Sequence, residues 1–300
     1  MGLLQENINP PSGCLPSRVL LTNDLTLRVA EEAINKQASV IVSYRTCALT
    51  IALLRFFIFI FFFTYPGLEP TRPRLTLPAA DPFIFRGLKS VTLCDPHQRI
   101  VLRLAQHNIA VYSPHTAVDA VLGGVNDWLA SILDKVPGGA REDIAVVQPA
   151  PAASSVAGFE GAGYGRLVRL REPTDLDSIL QAYAVALRMR HVVVSRPRTD
   201  DKTTTLIRSV AVCAGSGFDV LKNADADLIV TGEMTHHNAL RLKMLGKSVL
   251  TVFHSNSERG FLREVLQPKL ERVLRDEDAV AEVLVSDEDE DPFEIWEAKQ

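Results

Sequence analysis

A polar turn placed between an apolar run and an amphipathic pattern constrains the fold more than any other feature of this chain. Residues 248–253 form a largely apolar run, and residues 254–260 (His-Ser-Asn-Ser-Glu-Arg-Gly) follow it directly. Residues 261–274 then have the periodicity of an amphipathic helix, with an interruption expected at Pro268. The order of these segments predicts a buried strand, a polar turn at its carboxyl end and a helix packed back on the sheet.

Within this turn, His254 and Glu258 stand four residues apart. If the turn is helix-like from His254 onward, with Ser255 or Asn256 as the helix cap, positions i and i+4 face the same side. An imidazole and a carboxylate that meet at a strand end suit a first-row divalent metal ion. A solvated loop with a capping glutamate is the alternative, because this spacing also occurs by chance.

The same alternation of strand and helix recurs along the chain. Val19 to Thr22, a helix to Lys36 capped by Thr22 or Asn23, and Ser39 to Tyr44 predict a right-handed βαβ unit. Further strands are predicted at residues 109–113, 144–148, 166–170, 191–195, 207–213 and 227–231, and helices at 96–106, 114–133, 174–188, 218–223 and 232–245. The sequence therefore predicts an α/β protein.

Two other predicted strand ends also carry acidic or imidazole side chains. Asp119 follows the strand 109–113, where a metal-ligand role competes with that of a carboxylate at a helix start. Glu233, His236 and His237 follow the strand 227–231. Adjacent side chains on a helix diverge by about 100°, so at most one of the two histidines is expected to face a site, and either is also compatible with a surface position. Together these groups offer the nitrogen and oxygen ligands that zinc, manganese and iron accept.

Three local features carry expectations of their own. The turn at residues 214–217 (Ala-Gly-Ser-Gly) predicts either backbone N–H groups that approach an anion or close packing between strand and helix. Thr174 is expected to cap the helix that follows it, with Asp177 at the capping-box position. The acidic run at residues 287–291 predicts a solvated tail.

Residues 46–65 break the alternation with a nearly continuous apolar run, which a segment rich in proline follows at 66–82. A transmembrane helix over residues 47–65 is one interpretation, since about 20 apolar residues span a bilayer. Arg55 would oppose insertion by about 2.5–3.5 kcal/mol. A soluble core helix is disfavoured, because the run has no polar face.

The genetic code supplies a third interpretation, a retained intron over about residues 45–81. If Arg45 is encoded CGT, the dinucleotide GT is an intron donor, and a GCA-GAY sequence at Ala80-Asp81 contains the acceptor AG. Joining the remaining C to AY creates a histidine codon. The spliced product would then read Tyr44, histidine, Pro82.

Composition bounds the class of protein. The chain has 300 residues, 47% of them hydrophobic, and a net charge of −4. This net charge does not indicate a general nucleic-acid-binding protein, which would carry an excess of basic residues. The four cysteines form no CxxC pair, so neither a disulfide framework nor a zinc knuckle is expected. The first residues lack the basic and apolar regions of a secretory signal.

Several blocks resemble the NIF-three-like family, whose members are also labelled GTP cyclohydrolase I type 2 homologues. The resemblance covers nearly the whole chain apart from residues 45–81. The blocks that carry it are Leu20-Leu21-Thr22-Asn23-Asp24, Tyr112-Ser113-Pro114-His115-Thr116-Ala117-Val118-Asp119, Gly124-Val125-Asn126-Asp127-Trp128-Leu129, Gly163-Tyr164-Gly165-Arg166, Thr231-Gly232-Glu233-Met234-Thr235-His236-His237 and His254-Ser255-Asn256-Ser257-Glu258-Arg259-Gly260.

This resemblance implies a two-lobed α/β fold of mixed sheets flanked by helices, with a site for two divalent ions (Zn, Mn or Fe) between the lobes. The first lobe is expected at residues 1–44 and 83–134, the second at 135–245, and a return to the first lobe with an acidic tail at 246–300. Asp119, His254 and Glu258 match metal ligands of the family. The remaining ligand is a histidine in a Tyr-His-Pro motif, and here Tyr44 is followed by Arg45 instead.

The function expected from these features is that of a metal-dependent hydrolase acting on a small molecule, with a nucleotide as one candidate. Glu258 or Asp119 would bridge the two ions, and His236 or His237 would act in proton transfer. Glu233 is a further candidate catalytic residue. The family name also implies a transcription co-factor as partner, which makes a non-catalytic adaptor the alternative. Homo-oligomers, commonly hexamers, are implied as well. Cytoplasm is the default location, with nucleus and mitochondrion open, and a membrane location depends on residues 47–65.

Overall fold

The computed structural model describes residues 2–6, 17–45, 91–150, 159–197, 205–296 and 298. The chain divides into two compact units, the first formed by Met1–Thr116 with Leu262–Gln300 and the second by Ala117–Phe261. The predicted apolar run at 46–65 and the segments 66–82 and 83–90 lie outside the described residues.

The first unit is built on a five-stranded mixed sheet with the order β1-β4-β3-β2-β11. Strands β2, β3, β4 and β11 are parallel, and β1 is antiparallel to β4. Its strands are β1 (Gly2–Gln5), β2 (Arg18–Thr22), β3 (Val40–Ser43), β4 (Ala110–Ser113) and β11 (Glu282–Val285), and its helices are α1 (Leu27–Asn35), α2 (Pro96–Gln106) and α9 (Gln267–Glu277).

The predicted βαβ unit is present in β2, α1 and β3, but its helix begins later than predicted. Thr26 is the N-cap, and its side chain accepts a hydrogen bond from the Val29 backbone N–H. Thr22 and Asn23 were the predicted caps, and both are buried at the end of β2. The core of the unit packs α1 and α2 on the sheet through Leu20, Val29, Ala33, Ile41, Ile100, Leu104 and Val111.

The acidic tail is anchored in this unit, although it was predicted to be solvated. The buried Glu32 carboxylate on α1 accepts hydrogen bonds from the Ser286 hydroxyl and from the Asp287 N–H, the latter at 3.0 Å. The Asn23 backbone N–H donates to Asp289 at 2.7 Å, and Lys36 lies 3.2 Å from the Asp287 carboxylate. We call residues 286–289 with Glu32 the tail anchor. The acidic run has these partners because β11, which precedes it, pairs with β2 and so places the run beside the amino-terminal residues of the unit.

The second unit is built on a six-stranded mixed sheet with the order β5-β6-β8-β9-β10-β7, in which only β8, β9 and β10 are parallel to one another. The strands are β5 (Arg141–Pro149), β6 (Gly163–Asp175), β7 (Val193–Ser195), β8 (Leu206–Cys213), β9 (Leu228–Thr231) and β10 (Ser248–Thr251). The helices are α3 (Thr116–Ala120), which crosses the boundary between the units, α4 (Val125–Ser131), α5 (Leu176–Ala186), α6 (Phe218–Leu221), α7 (His236–Met244) and α8 (Asn256–Phe261).

Part of this core lies between β8, β9, β10 and helices α6 and α7, with Ala211, Phe218, Leu221, Ile229, Leu242 and Val249 in contact. The predicted cap at Thr174 is wrong, because β6 continues to Asp175. The Asp175 side chain caps α5 by accepting from the Ser178 N–H at 3.0 Å.

The helix predicted over 261–274 has three parts. Helix α8 ends at Phe261, a π-helical turn spans Leu262–Leu266, and α9 follows. Pro268 lies in the first turn of α9, but Leu266 before it is also helical, so helical backbone runs without a break from Asn256 to Glu277. The irregular turn therefore precedes the proline.

The units divide at 116/117 and 261/262, whereas the lobe boundaries were predicted at 134/135 and 245/246. Strand β10 pairs with β9 and β7, so it belongs to the second sheet and not to a return into the first. The prediction of mixed sheets flanked by helices is confirmed. Within the described ranges, no helix is both long and apolar enough to cross a membrane, and residues 47–65 lie outside those ranges.

Candidate metal and catalytic site

Three loops of the second unit meet at one edge of its sheet, where the parallel strands β8, β9 and β10 end. The strands are in register there, with Cys213 beside Thr231 and Thr231 beside Thr251. The loops that follow carry the Ala-Gly-Ser-Gly turn, Glu233 and His254 in that order. Sites in open α/β sheets lie beyond the carboxyl ends of strands, and this edge holds most of the predicted site residues.

His254 and Glu258 are adjacent, as their spacing predicts. The distance from His254 Nε2 to Glu258 Oε1 is 3.3 Å, and the side chains are 28% and 3% exposed. Helix α8 begins at Asn256, which puts Ser255 at the cap position. The residue before His254, Phe253, has a φ of 60°, a conformation that bulky residues rarely adopt. Positive φ angles also occur at three non-glycine residues that follow helix C-caps, namely Gln37, Asn108 and Arg188. Phe253 differs from them because it lies in the turn after strand β10.

Glu233 lies on the opposite side of the same imidazole. Its Oε1 is 3.0 Å from His254 Nδ1, and its side chain is half exposed. The backbone N–H of Glu233 donates to the Gly215 carbonyl at 3.0 Å, which fixes the start of the side chain relative to the β8 loop. His254 is therefore held between two carboxylates, one at each ring nitrogen.

Gly215 is the point at which the three loops are tied together. Its N–H donates to Ser257 Oγ at 2.8 Å, and its carbonyl accepts from Thr231 Oγ1 at 3.1 Å as well as from Glu233. Its φ is +61°, and a Cβ at this position would stand 2.5 Å from His254 Nε2 and 2.8 Å from Glu258 Oε1. Only glycine therefore permits both the backbone conformation and the close approach of the loop.

Asp119 is linked to the same edge through Asn126. The Asn126 Nδ2 donates to the Asp119 carbonyl at 2.9 Å, and its Oδ1 accepts from the Ala214 N–H at 2.9 Å. The pKa of the Cys213 thiol is raised to about 12, chiefly by burial and also by the Asp119 and Glu258 carboxylates. A backbone hydrogen bond from Gly165 and the charge of Arg166 act in the opposite direction and lower it. Asp119 therefore lies within electrostatic range of the Cys213 thiol, as Glu258 does.

His236 and His237 begin helix α7, where Thr235 caps the helix by accepting from the Asn238 N–H. Their rings contact each other edge to face, with centroids 5.6 Å apart and planes at 79°, and both residues are exposed. Their proposed part in proton transfer stays a prediction.

The donor atoms of His254 and Glu258 fit one metal ion. Two ligands of a tetrahedral zinc ion, each about 2.0–2.2 Å from it, are about 3.3–3.6 Å apart, and the observed N–O distance is 3.3 Å. Either a proton or a cation between these atoms makes the contact favourable. Within the described part of the chain, no group of three or more His, Cys, Asp or Glu side chains is arranged to hold a metal ion. The pair therefore fits, and the ligand set around it is incomplete.

The sequence of the Ala-Gly-Ser-Gly turn is compatible with both anion binding and close packing, and its contacts favour packing. The N–H groups of Ala214 and Gly215 are taken by Asn126 and Ser257. Sequence reasoning did not single out Asn126 or Ser257 for this role. Both lie within blocks that carry the family resemblance, which was the only signal available, because their partners are 88 and 42 residues away in the chain.

Comparison with known proteins identifies the family. Residues 79–292 match the family model described as Duf34/NIF3 (NGG1p interacting factor 3). The chain belongs to the Duf34/NIF3 family. The matched range includes every residue discussed at this edge of the sheet and begins after the apolar run at 46–65.

Relatives within the Duf34/NIF3 family extend the similarity to the amino-terminal part. The chain is 41% identical over 293 residues to the protein NIF3 homolog of Schizosaccharomyces pombe, covering 97% of this chain and 88% of the relative. It is 35% identical over 284 residues to the NGG1-interacting factor 3 of Saccharomyces cerevisiae, covering 93% and 82%.

Solved structures of the Duf34/NIF3 type share the fold. A Bacillus cereus protein related to NIF3 superposes with a TM-score of 0.69 at 19% identity, covering 99% of this chain and 93% of that one. A Staphylococcus aureus protein, SA1388, gives 0.68 at 21% identity, covering 98% and 91%. Reduced HcgD from Methanocaldococcus jannaschii gives 0.59 at 16% identity, covering 96% and 88%.

Proposed function

We propose that this protein binds divalent metal ions through His254 and Glu258, with Asp119 as a further ligand, and hydrolyses a small molecule there. The observation that carries the proposal is the 3.3 Å separation of His254 Nε2 and the buried Glu258 Oε1 at the end of a parallel strand. A buried carboxylate beside an imidazole nitrogen is stabilised by a proton or a cation between them, and nitrogen and oxygen donors suit zinc, manganese or iron.

A divalent ion bound there would supply Lewis acidity and lower the pKa of water. Glu258 and His254 would hold such an ion, with Asp119 as a further ligand. His236 or His237, exposed at the start of α7, would serve as a proton carrier for the substrate. The substrate is a small molecule, with nucleotides as the first class to test because of the GTP cyclohydrolase label that the resemblance carries.

The departure at residue 45 bears on this proposal. The resemblance places a fourth ligand, a histidine, directly after Tyr44, and this chain has Arg45 there. Arg45 Nη1 lies 3.4 Å from Asp24 Oδ1, so the residue takes part in an ion pair. We expect this chain to bind metal more weakly than a version that carries the histidine.

Titration calorimetry of the metal-free protein with Zn²⁺ and Co²⁺ tests the binding step. We expect His254→Ala and Glu258→Gln each to lower the affinity by at least tenfold, because each removes one of the two adjacent ligands. His97→Ala, which changes an exposed histidine of the first unit, is the control. Equal affinity in all four proteins would overturn the proposed site.

Turnover is tested separately with GTP and p-nitrophenyl phosphate as probes. The metal-loaded protein is expected to hydrolyse at least one of them, and Glu258→Gln is expected to abolish the activity. Metal binding without turnover of any small-molecule class would refute the hydrolase and retain the metal site.

A non-catalytic adaptor is the second candidate, and the name of the yeast relative, NGG1-interacting factor 3, favours it. We propose a transcription co-factor as the partner in that case. An adaptor would retain a complex with such a partner in the Glu258→Gln variant, whereas an enzyme would lose its activity.

We further propose that the protein forms a homo-oligomer, which light scattering tests. We also propose that it is located in the cytoplasm, which microscopy of the tagged protein tests.

A further inference from the structure

We infer that residues 291–296 of one copy of this chain dock on helix α7 of a second copy. We call residues 291–296 (Asp-Pro-Phe-Glu-Ile-Trp) the aromatic tail. The inference does not depend on the proposed metal site. It deepens the proposed homo-oligomer, on which it rests, by naming the two surfaces that meet.

The aromatic tail carries three large apolar side chains that the single chain leaves exposed. Phe293 is 72% exposed, Ile295 51% and Trp296 77%. The tail anchor, directly before this segment, holds its start on the first unit, and the Phe293 N–H donates to Asp291 Oδ1 at 2.9 Å. Neighbouring apolar side chains that remain exposed in a folded chain mark a surface used in association.

Helix α7 presents a matching surface on the second unit. Leu240 and Met244, the latter 79% exposed, lie one turn apart on the side of the helix opposite the buried Leu242. Successive helical residues turn by about 100°, so Arg241 and Lys243 stand about 80° to either side of this apolar stripe. Both cationic residues are exposed. We call Leu240, Arg241, Lys243 and Met244 the α7 patch.

The two surfaces have opposite charges, which selects the α7 patch as the partner of the tail. Residues 234–247 contain no Asp or Glu, and residues 287–297 contain no Lys or Arg. In the tail, Asp291 and Glu294 lie beside the apolar side chains, just as the two cations of the α7 patch flank its apolar stripe. Complementary charge around an apolar contact fixes which surfaces associate, because like-charged alternatives are repelled.

The area of the two surfaces suits a reciprocal exchange of tails between two copies. A buried aromatic side chain covers about 150–250 Å², so the two aromatic side chains of each of two tails cover about 600–1,000 Å². With the matching area of two α7 patches, the total is about 1,200–2,000 Å², the size of a standard specific interface. A two-fold exchange also uses each surface of each chain once, so that neither stays exposed.

Sedimentation velocity of the full chain over a concentration series tests the apolar part of this contact. We expect Phe293→Ala combined with Trp296→Ala to raise the dissociation constant of self-association at least tenfold, because aromatic side chains dominate the affinity of such contacts. Leu93→Ala, which truncates a 60% exposed side chain of the first unit, is the matched control and should leave the constant unchanged. The apolar run at 46–65 is the same in all these proteins, so a difference between them reports on the tail.

An exchange of charges distinguishes a direct contact from a loss of folding. Arg241→Glu with Lys243→Glu should raise the dissociation constant at least tenfold, and so should Asp291→Lys with Glu294→Lys, because each pair places like charges opposite each other. The protein with all four substitutions should associate again, since the opposite charges have only exchanged places. Added salt should weaken the association of the unchanged protein.

Tryptophan fluorescence reports the burial of the tail independently. Trp296 is exposed in the single chain and the other tryptophan, Trp128, is buried. On dilution the emission should shift to longer wavelength in the unchanged protein, and it should not change in Arg241→Glu with Lys243→Glu. A monomer at every concentration would overturn both the inference and the proposed homo-oligomer. An oligomer that withstands both pairs of charge reversals, or no recovery in the protein with all four, would overturn the inference and leave the homo-oligomer standing.

Discussion

Gly215 shows how a single residue sets the geometry at the carboxyl edge of the second sheet. Its backbone engages Ser257, Thr231 and Glu233, and its missing side chain leaves the space that His254 and Glu258 fill. The Ala-Gly-Ser-Gly sequence signalled a tight turn, but the reason for the glycine lies in two side chains that come later in the chain.

We predict that Gly215→Ala lowers the free energy of unfolding by more than the cost of a positive φ at a non-glycine residue. Gly246→Ala is the matched control, because Gly246 also has a positive φ, +76°, yet a Cβ there meets nothing within 4 Å. The control should lower the free energy of unfolding by about 1 kcal/mol, and Gly215→Ala by about 2–4 kcal/mol because of the added clash. Urea unfolding measures both. Equal losses would show that the loop adapts to a Cβ.

The Arg166–Asp127 pair is a second residue-scale constraint. Arg166 is almost fully buried and forms a bidentate ion pair with Asp127, both contacts at 2.8 Å. It also donates to the carbonyl groups of Gly163, Gly165 and Val121. The glycine-rich segment therefore binds the Arg166 guanidinium through the backbone carbonyl groups of Gly163 and Gly165.

Removal of one partner of this pair should strongly destabilise the second unit. We expect Asp127→Ala to lower the free energy of unfolding by about 3–5 kcal/mol, because a buried guanidinium loses its counter-charge. Arg141→Ala is the comparison, since its pair with Asp134 is more exposed, and should have an effect of about 1 kcal/mol or less. A small effect of Asp127→Ala in chemical denaturation would contradict this ranking.

At the scale of elements, β11 and the tail anchor show how a distant segment completes the first unit. Strand β11, near the carboxyl end of the sequence, pairs with β2, near its amino end. The residues that follow β11 donate hydrogen bonds to Glu32 on α1. Burial by itself would raise the pKa of Glu32, but hydrogen bonds from Lys36, Ser286 and Asp287 together outweigh it and lower the pKa. The ionised carboxylate is therefore the form that holds the tail.

The tail anchor should make stability depend on pH in the acidic range. A lowered folded-state pKa means that the contribution of Glu32 is complete above its unfolded pKa of about 4.3. It is lost as pH falls through the lower folded value. We expect the difference in unfolding free energy between the unchanged protein and Glu32→Gln to be about 1–3 kcal/mol at neutral pH and to shrink towards pH 3. Denaturation at several pH values measures it, and a pH-independent difference would rule out the ionised anchor.

At the scale of the whole molecule, the chain forms two units with separate sheets, and residues 45–81 interrupt the first of them in sequence. The similarity to Duf34/NIF3 relatives of yeasts covers 97% and 93% of the chain. The segment itself lies outside the described residues apart from Arg45, so the retained intron and the membrane helix both stay predictions from sequence.

Sequencing of transcripts from the Tyr44 codon to the Phe83 codon separates these two predictions. A retained intron predicts transcripts in which the segment is absent and a histidine codon follows Tyr44. The protein made from them should bind Zn²⁺ more tightly than the full chain. Transcripts that keep the segment under all growth conditions would favour the membrane helix, and recovery of the full chain without detergent would then argue against that helix.

Local chemistry determined much of this protein. Apolar runs placed most of the strands, the strand–helix alternation predicted the α/β class, and four-residue spacing on a helical turn brought His254 to Glu258. Tertiary structure decided the remainder. Strands β1 and β11, the tail anchor, and the contacts of Asn126, Ser257 and Glu233 all depend on partners far away in sequence. Hydrogen bonds of this kind carry no local periodicity, because the partners become neighbours only once the sheets have formed.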